Sequence, residues 1–162
     1  MPDQNTVDRV ALEALITNDV QALSAESDQI GRVFAGRHDV GANDFRALVH
    51  IMVAERTGTP LTAGELTQRM GMSGAAITYL VERMIDSGHI RRESDPADRR
   101  KVILRYSDHG MSVATAFFTP LADHTSVATA GLPDDDLAAA HRVFGALLEA
   151  MRTFQTEVSR AT

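Results

Sequence analysis

The sequence predicts a mainly α-helical fold with one small β-hairpin, set between short helices and two long C-terminal ones. Three observations carry this. Apolar residues recur at helical spacing along most of the chain, two short periodic segments are joined by the tight break Gly71-Met72, and a basic stretch of alternating residues around a turn follows them. A length of 162 residues suits one domain with an extension. The balance of 44% hydrophobic and 23% charged residues is that of a folded chain.

From Thr6 to Gly36, Val7, Val10, Ala14, Leu15, Ile30, Val33 and Phe34 stand at mostly helical spacing, which predicts a long first helix, irregular around Ser24 to Asp28. Asn43 is the expected N-cap of a second helix whose stripe is Phe45, Leu48, Val49, Met52 and Val53 and which Gly58 and Pro60 end. Thr62-Ala63-Gly64-Glu65 has the form of a capping box, opening a third helix with Leu66 and Met70 inward that closes at Gly71. Ser73 caps a fourth, with Ile77, Leu80, Val81, Met84 and Ile85 inward and Ala75, Ala76, Thr78, Tyr79, Glu82 and Arg83 outward, ending near Ser87-Gly88.

Ile90 to Glu93 and Lys101 to Tyr106 read as strands, with Val102, Leu104 and Tyr106 alternating against Ile103 and Arg105 across a turn at Ser94 to Asp98. Ser107 caps a fifth helix reaching about Ala130, kinked at Pro120. After Gly131-Leu132-Pro133, the acids Asp134, Asp135 and Asp136 suit the positive end of a sixth helix that uses Leu137, Phe144, Leu147, Leu148, Met151 and Phe154.

Composition narrows the function. Cysteine is absent, which excludes disulfides, thiolate metal sites and thiol-based oxidant sensing. No run of about 18 apolar residues occurs, and the start MPDQNTVDRV lacks the basic and apolar regions of a signal peptide, so the expected place is the cytoplasm with no membrane partner. Without a Gly-rich phosphate loop, G-x-S-x-G or H-E-x-x-H, the chain is not expected to be an enzyme, and no cofactor is expected. The net charge is −6, yet Thr62 to Arg105 carries eight basic residues against six acidic ones. A basic middle between acidic ends suits one surface meeting DNA while the remainder stays off it.

Thr62–Met70, Gly71-Met72 and Ser73–Ser87 form the two helices and turn of a helix-turn-helix, a pattern that short helix pairs in other helical proteins share. The basic hairpin directly after it is the arrangement of a wing. A wing lies on the DNA backbone and extends a cation into the minor groove while the preceding helix occupies the major groove. Arg99, Arg100 and Lys101 stand at its tip, and a guanidinium enters a narrow minor groove more readily than an ammonium, which favours Arg100. Asp98 is expected to hold the Arg100 side chain. On the fourth helix, Ser73 opens the reading element, Ala75 and Ala76 permit approach to a thymine methyl, Thr78 and Tyr79 can bond phosphates or bases, and Arg83 can reach a phosphate or a guanine.

Leu61-Thr62-x-x-Glu65-Leu66, Ser73-x-x-Ala76-x-Thr78-x-x-Val81, Gly88 and above all Asp95-Pro96-x-Asp98-Arg99-Arg100, followed by Leu104, Ser107 and Gly110, resemble the MarR family of winged helix-turn-helix repressors. The likeness runs over nearly the whole chain. It implies a homodimer whose first, fifth and sixth helices intertwine, with residues 1–36 and 108–162 as dimerisation region and 43–107 as winged helix-turn-helix, in one intertwined domain. It also implies binding of a pseudo-palindromic double-stranded operator and release by a small aromatic or phenolic effector, for which Phe34, His38, Phe45, His50 and Met111 are the candidate lining. The sequence departs from the family pattern at Tyr79, at Glu82-Arg83-Met84, at Tyr106 and at Ser107, so an operator sequence does not carry over.

Two other readings follow from the same residues. A winged adaptor without specific DNA binding fits the net charge and Tyr79 and Glu82 on the outward face, while the six histidines raise a metal-responsive regulator, although none forms an H-x-x-x-H pair.

Overall fold

A computed structural model describes residues 4–160, with side chains described from residue 8. The side chain of Val7, and residues 1–3 and 161–162 of the expected dimerisation region, lie outside that description. In order the chain forms α1 (Gln4–His38), α2 (Ala42–Arg56), α3 (Ala63–Met70), α4 (Gly74–Asp86), β1 (Ile90–Ser94), β2 (Val102–Tyr106), α5 (Asp108–Thr129) and α6 (Asp134–Arg160). The expected architecture, mainly helical with a β-hairpin wing, is the one observed. Two compact units are present, Met1–Phe117 and Phe118–Thr162.

The first unit has the hydrophobic core. Ile51 from α2, Leu66 from α3, Ile77 and Leu80 from α4 and Ile103 and Leu104 from β2 are fully buried. Short helices persist here because their ends are satisfied. Glu65 N donates to Thr62 Oγ1 at 3.2 Å and Thr62 N donates to Glu65 Oε2 at 2.7 Å, the reciprocal bonds of a capping box. Gly71 ends α3 at φ 63°, a left-handed conformation that glycine adopts without steric cost. Ala76 N donates to Ser73 Oγ at 3.3 Å at the start of α4.

Several local expectations change. α2 is capped at Gly41, whose N–H donates to Asp44 Oδ2 at 3.1 Å, so Asn43 is not the cap. Its buried face is Asp44, Ala47, Leu48, Ile51 and Ala54, whereas Val49 and Val53 are exposed. The helix is apolar around more than half its circumference, so periodicity alone did not settle which side turns inward. α1 runs unbroken through Ser24 to Asp28. In the hairpin Ile90 faces Tyr106 and Ser94 faces Val102. Ile103 and Leu104 are both buried, so the expected alternation fails there, and Leu104 N also donates to Leu61 O at 2.7 Å.

The hairpin is tied to α5 through Ser107. Its hydroxyl accepts from Gly110 N at 2.8 Å and donates to Gly88 O, while Ser107 N donates to His89 O at 3.0 Å. Gly110 is buried against this junction, and a Cβ there would lie 2.0 Å from His89 O.

The second unit comprises the end of α5 and α6. Among its described residues none of α6 is buried, and Phe144, Leu148, Met151 and Phe154 are exposed.

Candidate nucleic-acid interface

The outward side of α4 presents exposed Ala75, Thr78 and Tyr79, with Ala76 half-buried. Tyr79 is 68% exposed. Thr78 Oγ1 donates to Gly74 O at 2.9 Å, so its proton is committed within the helix and its oxygen stays available as an acceptor. Ser73 is engaged as the N-cap, and is exposed there.

Arg83 has a partner that the sequence did not indicate. Its Nε donates to Asp44 Oδ2 at 3.0 Å and its Nη2 to Asp44 Oδ1, a bidentate pair with the Asp44 side chain 6% exposed and that of Arg83 45% exposed. The Asp44 hydrogen bond holds the guanidinium above its ordinary pKa. The Arg83 guanidinium carbon also lies 5.2 Å from the centroid of the Tyr79 ring. Arg83 therefore fastens α4 to α2 and backs Tyr79, and sequence reasoning missed Asp44 because its partner is 39 residues away.

Pairing extends along the unit. Arg91 bonds Glu93 at 3.2 Å, Arg92 bonds Glu82 at 2.7 Å, Lys101 bonds Glu65 at 3.3 Å and Arg105 bonds Glu55 at 3.5 Å. Lys101, expected at the DNA-facing tip, thus spans from the wing to the start of α3. Glu65 is held below its ordinary carboxyl pKa, first by the Thr62 backbone bond, with Lys101 adding to it. Of the eight basic residues from Thr62 to Arg105, only Arg69, Arg99 and Arg100 have no ion pair among the described residues. Arg99 and Arg100 are exposed side by side in the turn between β1 and β2.

Asp98 shapes that turn through the backbone: its Oδ1 accepts from Arg100 N at 3.0 Å. Asp95 Oδ1 likewise accepts from Ala97 N at 2.8 Å, and Lys101 N donates to Asp98 O at 2.9 Å. The two side-chain bonds are Asx-type turns and the backbone bond closes a β-turn, and together they set where the two arginines leave the hairpin.

Of the candidate ligand residues, Phe34, His38 and Phe45 come together. The Phe34 ring lies 4.6 Å from that of His38, 5.3 Å from Phe45 and 5.0 Å from Phe117, with Arg37 6.0 Å from the Phe117 centroid. Phe117, read from the sequence only as an apolar position, joins this cluster; Met111 is exposed. His50 is lowered in pKa first by burial and then by the charges of Arg69 and Arg46. Among the described residues no three His, Asp or Glu side chains are grouped to hold a metal ion.

Residues 38–101 match the family model described as MarR family. A relative of Bacillus subtilis (strain 168), the uncharacterized HTH-type transcriptional regulator YcgE, is 38% identical over 66 residues, which cover 41% of this chain and 43% of that protein. The match thus spans less than half the length of that relative. A mutant of MepR from a multidrug-resistant S. aureus clinical isolate superposes with TM-score 0.68 at 13% identity, over 84% of this chain and 96% of its own. The S. aureus MepR–DNA complex superposes with TM-score 0.51 at 14% identity over 81% and 96%, and MepR bound to ethidium bromide with 0.54 at 14% over 83% and 95%.

Proposed function

Because the chain carries a MarR-family winged helix-turn-helix over residues 38–101, the fold of transcriptional regulators, we propose that it is a homodimeric repressor that binds a pseudo-palindromic duplex operator and is released by a small aromatic ligand. The observation that carries the DNA-binding part is the arginine pair at the wing tip. Five of the eight basic residues from Thr62 to Arg105 pair with a carboxylate, and of the three without an ion pair among the described residues Arg99 and Arg100 stand side by side in the turn. Two exposed guanidiniums on a turn held by Asx bonds are suited to phosphates and a narrow minor groove, with Ala75, Ala76, Thr78 and Tyr79 entering the major groove.

The similarity to MepR in complex with DNA supports this reading, and the similarity to MepR bound to ethidium supports an aromatic effector. The Phe34, His38, Phe45 and Phe117 cluster is the candidate place for that effector, which would act only by binding DNA-competent and incompetent dimers with different affinity. For dimerisation, residues 1–36 and 108–162 supply the apolar surface: among the described residues Val10, Leu12, Leu15 and Leu23 on α1 and Leu137, Phe144, Leu148, Met151 and Phe154 on α6 are exposed in the single chain. A two-fold pair would cover them and create two half-sites.

Titration of the purified protein against DNA from its own upstream region, at several salt concentrations and beside Arg100→Ala, tests the reading. A steep salt dependence and a clear loss in the variant are expected. Weak binding indifferent to sequence, or normal operator binding by Arg100→Ala, would leave the second reading. That reading is a winged adaptor without specific DNA binding, favoured by the engagement of Arg83, the one cation of α4, with Asp44.

A further inference from the structure

Glu82 poses a problem for a helix that approaches phosphates. It is exposed on the outward side of α4, where a free carboxylate would repel DNA. Here it is not free. Arg92 Nη1 donates to Glu82 Oε2 at 3.2 Å and Arg92 Nη2 to Glu82 Oε1 at 2.7 Å. Two parallel bonds between a planar fork and a carboxylate fix orientation as well as distance.

The pair joins the two elements that would meet DNA, since Glu82 belongs to α4 and Arg92 to β1. The lower part of the hairpin is held by packing: Ile90, Ile103, Leu104 and Tyr106 are buried, with Ile90 opposite Tyr106 and Arg92 opposite Leu104. Ser94 and Val102 beyond them are exposed with the tip. Two ion pairs reach from the wing to the helix pair, Lys101 to Glu65 of α3 and Arg92 to Glu82, and the second sets the wing directly against α4.

We propose that Glu82 and Arg92 are positioning residues that fix the wing relative to the recognition helix, so that Glu82 favours operator binding despite its charge. The inference rests on the DNA-binding reading above. Both side chains are about half-exposed, so the bridge adds little to folding stability and its removal leaves the fold intact. Its effect falls on the relative placement of wing and helix, which a specific site requires and a random duplex does not.

Glu82→Gln keeps the shape and removes the charge, and the two ideas differ in sign. If Glu82 only repels phosphates, the variant binds every duplex more tightly. If it holds the wing, operator affinity falls roughly threefold to fivefold while affinity for random duplex does not fall and melting is unchanged. Arg92→Lys, which keeps the charge and one bond, lies between wild type and Glu82→Gln. The chain has no cysteine, so spin labels on Asp86→Cys and Ala97→Cys report the distance between α4 and the wing tip without competing sites. In the DNA-free protein that distribution broadens in Glu82→Gln. Equal or tighter operator binding by Glu82→Gln, or an unbroadened distribution, overturns the proposal. A wild type that does not prefer its operator overturns the regulator reading instead, and the distance distribution still decides whether the bridge holds the wing.

Discussion

The winged unit and α6 solve the problem of apolar side chains in opposite ways. From α2 to β2 the chain buries Ile51, Leu66, Ile77, Leu80, Ile103 and Leu104 within about 60 residues and caps its short helices with side chains. α6 is a longer helix with comparable apolar content, yet none of its described residues is buried. A short helix draws its stability from tertiary contacts and from its caps. The apolar residues of α6 have no cover within the single chain, which makes that helix a candidate contact surface.

The largest expected effect tests that contrast directly. Ile51→Ala empties a fully buried site and should cost about 3 kcal/mol of unfolding free energy. Leu148→Ala, at a residue 52% exposed in the single chain, should change protomer unfolding by less than about 0.5 kcal/mol while weakening self-association in sedimentation. Similar losses in denaturant titrations of the two variants would break the distinction.

Next comes charge. Arg100→Ala should reduce operator affinity by about 2 kcal/mol and flatten the salt dependence, with no change in melting temperature, because Arg100 has no ion-pair partner among the described residues. A melting shift would mean that the tip is part of the fold.

Helix ends give a smaller test. Thr62→Ala removes the hydroxyl that accepts from Glu65 N, leaving only the backbone half of the capping box, and should cost about 1 kcal/mol by chemical denaturation. Asp135→Ala, in the acidic first turn of α6, should cost only about 0.5 kcal/mol through the helix dipole. Equal costs would show that α6 depends on its first turn as closely as α3 does.

The smallest effect is in pH. Burial, then His109 and His38, push the His89 imidazole below its ordinary pKa, so the unfolded chain takes up that proton before the folded one. Stability is then full above about 6.5 and declines as the pH falls below it. In His89→Gln the decline over that window should be shallower in melts collected from pH 7 to 5; an unchanged slope would place the acid sensitivity elsewhere, with His50 next to test.

Much of this was legible in the residues. Thr62, Gly71, Ser73 and Ser107 announce helix boundaries through bonds made within a few residues, and all four do what their chemistry suggests. The α2 stripe misled because neighbouring faces of that helix are both apolar, and only packing chose between them. The partner of Arg83 was hidden for a different reason. A lone arginine on an outward helix face looks available, and nothing nearby in sequence indicates Asp44.

By itself the sequence determined most element ends, though not the start of α2, that a basic turn follows a helix pair, and that the tip carries Arg99 and Arg100, because caps, turns and periodicity act over a handful of residues. The tertiary structure alone decided which of the chain's cations remain unpaired. An ion pair joins residues that the fold brings together across 39 positions for Arg83 and Asp44, or 36 for Lys101 and Glu65, and such separations leave no periodic trace along the chain.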